Sequence, residues 1–535
     1  MPVTLPHAAR AAVAVAVLTG LAALTRISSW RKPLATDSGQ YLYIGDLILH
    51  GDTPYVDAVN NKGPMTYLLF ALIRLGSGTS MTAVRISLLA FAVIAALALG
   101  AYVARVATRE AGVLTAIALA LFAGLPAMQG DDPNTEQYGI AFVAVSWWLA
   151  THAGARWALG AGACVAAAVA MNPAFVIALP FVAFELWRAR GGGPSRERLK
   201  RIGLGVIGGA SLVAPILLWL LVRGALDDMW TQVVEHATSG ADASFSRGGV
   251  PPSEPIAPAP DPAPAGGGGG GGAGGSGGAD TGPAREAPKE VFGPPGRIEE
   301  WRYGTFALPE RGLWIVGVAG LLLACTEARL RRAALPLLLW IVACWARVKG
   351  ATYEFPHHYY PAVPGLAAGL ALGVARLWSF AGRREVVRVA IAVVALGVPL
   401  WLWVGDPERE ALDYPAELRW GSQYESFSLA YPVAEFLRDH TEPDDPILVV
   451  GTDPEVYWLA DRRANTPYFD VFPLLRKRTL IGRRSNDVTY DPPAAIVAMP
   501  DAEEADPYFP ALLDLGIEYP PAFELRGARV WLRKK

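Results

Sequence analysis

The sequence predicts an α-helical polytopic membrane protein that carries a small α/β unit at its C-terminal end. Three observations predict it. Of the 535 residues, 52% are hydrophobic and only 18% charged. Eleven apolar runs are separated by charge, Pro or Gly, and from about residue 405 the composition becomes that of a soluble domain. Lys plus Arg (47) nearly balance Asp plus Glu (49), giving a net charge of -2. No large basic surface for nucleic acid is left, so nucleic-acid binding is excluded.

A helix needs about 20 mostly apolar residues to cross a bilayer. Runs of that kind lie near 9–29, 81–104, 111–128, 137–151, 157–171, 173–188, 202–222, 311–327, 333–348, 361–380 and 386–404. The fourth to sixth are short, and the break at Met171-Asn172-Pro173 is read from its proline, so ten spans are the alternative count. His7 and Arg10 precede the first run and no small-residue cleavage site follows it, which predicts an uncleaved anchor rather than a removed signal peptide.

Basic residues orient the spans, because short cytoplasmic loops accumulate them. Segments 105–109, 188–201, 329–332 and 383–388 share one side when eleven spans start from a cytoplasmic N-terminus. Residues 30–80, 129–136, 223–310, 349–360 and everything after Trp403 then face outward. Acidic residues are nearly absent at mid-depth and polar clusters gather at the outer ends, which favours surface chemistry over a transport path. A membrane transporter or flippase is the rival class.

Within the third outer piece, residues 248–296 hold seven consecutive glycines (266–272) amid Pro and Ala, a composition that predicts a disordered insert. Its flanks, 230–236 and 299–306, mix aromatics with charge and suit the membrane surface. Cys164, Cys325 and Cys344 sit inside apolar runs without paired spacings and read as core residues. The C-terminal unit, 405–535, reads as helices at 429–440, 455–460 and 510–515 and strands at 447–450, 495–498, 522–526 and 528–533. Its Gly451-Thr452-Asp453 corner follows a strand but lacks the full glycine fingerprint of a dinucleotide site. Tyr457-Trp458 and Tyr468-Phe469 fit core packing first and sugar stacking second. Because it shares a face with the first outer loop, the unit is expected to help position an acceptor.

The first outer loop reads Asp37-Ser38-Gly39-Gln40-Tyr41, then Gly51-Asp52-Thr53-Pro54-Tyr55-Val56-Asp57, then Asn61-Lys62-Gly63-Pro64. A carboxylate just beyond a span is partly desolvated, an environment that suits a general base. Asp37 could equally cap the helix that the 41–49 spacing predicts along the interface. Residues 129–136 bring Asp131, Asp132 and Glu136 together, where Asp131, Asp132 or Asn134 could also cap the fourth span. The 349–360 piece adds Lys349, Tyr353, Glu354, His357, His358, Tyr359 and Tyr360 beside Arg347. Adjacent histidines point apart on a helix, so a phosphate clamp fits better than joint chelation, with an interfacial Tyr and His belt as the alternative.

Together these residues resemble the GT-C class of membrane glycosyltransferases that use polyprenyl-phosphate sugars, among them the protein O-mannosyltransferases and the aminoarabinose transferase of lipid A. The carriers of the resemblance are the acid after the first span, the Gly51-x-x-Pro54-Tyr55-x-Asp57 turn and Lys62-Gly63-Pro64 leading into an aromatic helix. The eleven-span layout with an outward C-terminal unit fits the same class over the whole chain apart from the glycine-rich insert.

The resemblance implies that Asp37 is the catalytic residue deprotonating the acceptor, with inversion at the anomeric carbon. It implies that Lys62 contacts the donor phosphate, against the alternative of a snorkelling interfacial lysine. His357, His358, Tyr359 and Tyr360 would bind donor phosphate or sugar, and Asp131, Asp132 and Glu136 would shape the sugar or acceptor pocket. A divalent metal, Mg or Mn, is a possible cofactor on Asp131 and Asp132 with Asp37 completing the shell. Ser38 stands where O-mannosyltransferases carry a second acid, which argues against protein O-mannosylation. The implied partners are a polyprenyl-phosphate sugar, membrane lipids and an extracytoplasmic acceptor: a cell-wall glycan, a lipid-linked saccharide or a protein. The Ala, Arg, Gly and Pro richness suggests a GC-rich bacterial gene, hence a plasma membrane and an undecaprenyl- or decaprenyl-type carrier. A catalytically dead, glycan-binding relative is a third class, and the presence of Asp37 and Lys62 argues against it.

Overall fold

A computed structural model describes residues 7–31, 34, 36–125, 128–189, 194–235, 308–349, 356–381, 384, 386–387, 390–391, 397, 421–470, 473–474, 478–500, 502, 509–513 and 518–534. Ten of the eleven predicted spans fall on helices: α1 (His7–Leu24), α4 (Met81–Val106), α5 (Arg109–Phe122), α6 (Thr135–Ala150), α7 (Ala155–Met171), α8 (Ala178–Arg188), α9 (Ser195–Val222), α10 (Leu308–Ala324), α11 (Arg331–Lys349) and α12 (Val363–Ala381). Two further helices, α2 (Thr36–Leu49) and α3 (Pro64–Ser77), belong to the first loop. The eleventh span, 386–404, lies almost wholly outside the described residues, as do the insert 248–296, the flank 299–306, Tyr353 and Glu354. Among the described residues, three helices are long and apolar enough to cross a membrane: α4, α9 and the stretch His357–Ala381.

Local chemistry sets the helix ends. The Ser80 hydroxyl accepts the Ala83 N–H at 3.3 Å to start α4, and Thr108 accepts that of Ala111 at 3.1 Å to start α5. Pro173 ends the α7 run as predicted, but 173–188 is not one helix: a 3₁₀ turn (Pro173–Ile177) precedes α8, with the Asn172 side chain accepting the Ala174 N–H. Along α9 the glycine face at Gly205 and Gly208 packs on α7, and a Cβ at Gly208 would overlap the Leu159 carbonyl. Its opposite face exposes Leu199, Val206, Ile207, Leu218 and Leu221, the surface that lipid requires.

The C-terminal unit holds α13 (Gly421–His440), β1 (Ile447–Val450), α14 (Glu455–Ala460), α15 (Arg478–Tyr490), β2 (Ala495–Ala498), α16 (Phe509–Leu513), β3 (Pro521–Leu525) and β4 (Ala528–Leu532). Its sheet runs β1-β2-β4-β3, with β1 parallel to β2 (Ile447 opposite Ala495) and the other pairs antiparallel. Both parallel strands are buried throughout, as their unbroken apolar runs require.

Two large apolar cores dominate the described residues, beside a smaller one on the other face of the sheet around Leu448, Ile496 and Phe509. The first fills the helical bundle, around Leu99, Trp147, Trp340 and Leu366. The second is built jointly by α2, α3, the C-terminal end of α9 and the C-terminal unit. Tyr43 of α2 stacks on Tyr457 at 4.9 Å and meets Phe469 at 4.8 Å, so these aromatics are core, as the sequence reading favoured. The expectation that 41–49 lies along the interface is corrected here: from Ser38 to Leu47 the helix is buried between α3 and α14. Gly39 permits this approach, since a Cβ there would stand 2.8 Å from the Glu455 nitrogen. Gly39→Val is therefore expected to cost about 1–3 kcal/mol by overpacking. The check is a lower melting temperature in detergent with faster amide exchange across 455–460.

Candidate functional site

Asp37 occupies the first turn of α2, whose start is tied to the C-terminal unit by Thr36 Oγ1 donating to the Thr452 carbonyl at 2.7 Å. The Asp37 Oδ2 atom accepts the Tyr41 hydroxyl at 3.0 Å, one helical turn on, and stands 3.7 Å from Lys62 Nζ. Burial, then the charges of Asp37 and Glu136, raise the Tyr41 phenol well above its ordinary value, which keeps it an O–H donor. Asp37 and Lys62 stay partly open, at 33% and 19% side-chain exposure, while Tyr41 is fully buried. The Lys62 ammonium also lies over the Tyr41 ring, 5.9 Å from its centre. The first loop thus brings its acid and its base together at an accessible point.

Backbone contacts hold Lys62. Its N–H donates to Asn60 Oδ1 and to the Tyr67 hydroxyl, both at 3.3 Å, and its carbonyl accepts the Tyr55 hydroxyl at 2.8 Å. Tyr55, in the Gly51-x-x-Pro54-Tyr55 turn, adopts the left-handed region at φ 73°, a conformation with a cost for a bulky residue.

The second loop packs directly on the first, through Ser38 Oγ donating to the Pro133 carbonyl at 3.4 Å. Asp131, Asp132 and Glu136 are buried, at 2%, 0% and 1% exposure. Glu136 Oε1 accepts the Asn172 amide at 3.0 Å and Oε2 the Thr135 hydroxyl at 3.0 Å. Burial penalises the Glu136 charge, and the nearby His357, Lys62, His358 and Arg347 side chains oppose that penalty. One buried acid therefore senses all three clusters that the sequence singled out.

In the third cluster His357 Nδ1 pairs with Gln129 Oε1 at 2.5 Å, and Gln129 is itself left-handed at φ 51°. The two histidine rings meet edge to face at 4.6 Å rather than sharing a focus. Arg347 donates to the His358 carbonyl at 2.5 Å, Lys349 lies 6.0 Å over the Tyr359 ring, and the Tyr360 hydroxyl donates to the Ala123 carbonyl at 3.1 Å. A narrow cleft beside this cluster, too tight to admit a water molecule, is lined by Glu136, Asn172, Phe175, Arg347 and Pro361 among others. Among the described residues no group of three or more His, Cys, Asp or Glu is disposed to hold a metal ion, so Asp37, Asp131 and Asp132 do not come together as one shell.

Sequence reading passed over two buried arginines and three amides. Arg26 donates to the Ala123 carbonyl at 2.6 Å and to the Gly130 carbonyl at 3.2 Å, and Arg85 donates to the Asp131 carbonyl at 3.0 Å. Both lie inside apolar runs, where an ionisable residue is a signal in its own right. Gln40, Asn60 and Gln232 carry no comparable signal.

The helical bundle, with two short helices and an ion pair in its first long loop and a small sheet unit after it, has the fold of solved membrane-protein structures. Solved structures share it over nearly the whole chain. ArnT from Cupriavidus metallidurans bound to undecaprenyl phosphate superposes with a TM-score of 0.56 at 14% identity, over 98% of each chain. Its apo state gives 0.55 at 16%, over 97% of this chain and 98% of that one. The Archaeoglobus fulgidus oligosaccharyltransferase in complex with Zn and sulfate gives 0.50 at 12%, over 97% of this chain and 73% of that one. No protein-family model matches the sequence. No curated protein matches it.

Proposed function

We propose that the protein transfers a sugar from a polyprenyl-phosphate donor to an acceptor hydroxyl on the outer face of the bacterial plasma membrane. The observation that carries this reading is the Asp37–Lys62 pair, 3.7 Å apart and partly exposed, on a fold shared with a protein bound to undecaprenyl phosphate. Asp37 is the general base. Oδ2 already holds Tyr41 and Lys62, which assigns Oδ1 to the acceptor hydroxyl. As the acceptor oxygen bonds to the anomeric carbon, its proton passes to Asp37 and the bond from that carbon to the phosphate oxygen breaks. Polyprenyl phosphate leaves with its charge balanced by Lys62, and a single displacement inverts the centre.

His357 and His358 supply further polar contacts to the phosphate, while Tyr359 and Tyr360 brace the loop that carries them. Asp131, Asp132 and Glu136 set the wall of the sugar pocket, and Mg or Mn is a cofactor only if a bound donor draws these acids together. The acceptor is a cell-wall glycan, a lipid-linked saccharide or a protein. The test is turnover by purified protein in detergent across a panel of polyprenyl-phosphate sugars, with hydrolysis counted. Turnover of at least one donor is expected. Release from none of them, beside intact binding of undecaprenyl phosphate, would move the assignment to transport or to glycan binding.

A further inference from the structure

Lys62 lies in the irregular stretch between α2 and α3, so its position depends on side chains that reach in from elsewhere. Gln232, from the short π-helix Trp230–Glu235, uses Oε1 to accept the Asn60 N–H at 3.0 Å and Nε2 to donate to the Tyr55 carbonyl at 2.8 Å. Asn60 donates through Nδ2 to Gln40 Oε1 at 2.6 Å, and Gln40 donates through Nε2 to Asp470 Oδ2 at 2.8 Å. The far end of this chain belongs to the C-terminal unit.

The order of donors and acceptors follows from the carboxylate, which only accepts. Asp470 turns the Gln40 amide nitrogen toward itself, so Gln40 Oε1 must face Asn60. The Asn60 nitrogen then faces Gln40, and Asn60 Oδ1 is left to accept the Lys62 N–H and, at 2.8 Å, the Tyr67 hydroxyl. Gln40, Asn60 and Asp470 are 5%, 5% and 3% exposed, so a reversed amide would meet acceptor with acceptor in a low-dielectric interior. Beneath them the negative charge of Asp470 offsets part of the burial penalty on Arg484, held at about 10 by desolvation against Tyr457 and Asp470.

We propose that the Asp470–Gln40–Asn60 relay is the device by which the C-terminal unit sets Lys62 against Asp37, making donor capture depend on the docking of that unit. The inference rests on the donor-binding reading of Lys62. All three are positioning residues, since they act through the backbone of Lys62.

A polarity swap tests it. In Asn60→Asp the new carboxylate demands the Gln40 nitrogen and leaves Gln40 Oε1 against Asp470, so the relay breaks. Adding Asp470→Asn reverses the relay and restores a partner at every link. Gln40→Met cuts the same link without adding charge and stands in if Asn60→Asp fails to fold. Amide exchange across 56–63 is expected to rise about tenfold in Asn60→Asp and in Gln40→Met, with 447–450 unchanged, and to return toward wild type in the double variant. The dissociation constant for undecaprenyl phosphate should follow the same pattern.

Unchanged exchange in Asn60→Asp overturns the relay, as does a loosened loop that the second substitution fails to restore. A loosened loop that binds undecaprenyl phosphate as tightly as wild type overturns the link to donor capture. Binding that is indifferent to Lys62→Ala overturns the donor reading instead, and loop exchange then judges the relay separately.

Discussion

Asp37→Asn is expected to slow sugar transfer by about 10²–10⁴-fold, the range a positioned general base contributes, while leaving undecaprenyl phosphate bound at least as tightly. The substitution preserves volume and one carbonyl oxygen, so the Tyr41 hydroxyl keeps an acceptor where Oδ2 now stands. What is lost is the capacity to take the acceptor's proton. The Lys62 ammonium, 3.7 Å away, loses its anionic neighbour and becomes more available to a phosphate. Initial rates under saturating donor separate this from a binding defect, because a residue that acts on chemistry alone lowers kcat without raising KM. A variant that retains more than about a tenth of the wild-type rate sinks Asp37 as the base, since that loss falls below what general-base removal produces. A raised KM with an unchanged kcat would instead make Asp37 a binding residue.

How far the sequence announces this site differs residue by residue. Asp37 and Lys62 are legible because their chemistry lies in one short stretch, with Asp37 beside a span and Lys62 ahead of Pro64. The strands β1 and β2 and the helix α14 fall where the apolar runs place them, since a buried strand or turn needs only local contrast to be seen. The helix α15 has no apolar stripe: Arg478–Tyr490 is mostly polar, and the deeply buried charge of Arg484 gives no periodic signal. For α2 the spacing was right and the environment wrong. A helix with apolar faces fits a bilayer surface or a protein cover equally well, and its cover, α14, lies more than 400 positions further along the chain. The amides fail for the same reason, because Gln40 meets its carboxylate 430 positions away and Asn60 its clamp 172 positions away. Polar groups of this kind acquire meaning only when burial demands partners for them, and burial is a property of the folded chain.

Lys62→Met should raise the donor KM by roughly 10–100-fold, the loss expected for one charge-assisted contact to an anion, with little change in melting temperature. The two halves of that expectation come from the same geometry. The ion pair with Asp37 is partly solvated, so its worth to stability is about 0–1 kcal/mol. The contacts that fix this stretch of chain run through the Lys62 N–H and carbonyl, which methionine retains. A donor phosphate arriving at the ammonium finds it already desolvated on one side by Tyr41, where a charge contact is worth more than in bulk water. Lys62→Arg keeps the charge but presents a planar fork from a longer stem, and should recover only part of the affinity. Because the ammonium is still 19% exposed, the wild-type donor KM should rise with ionic strength and the methionine variant should lose much of that dependence. Equal salt dependence in both proteins, or a KM that Lys62→Met leaves untouched, would place the phosphate elsewhere, with Arg347 at the neighbouring cleft the next cation to test.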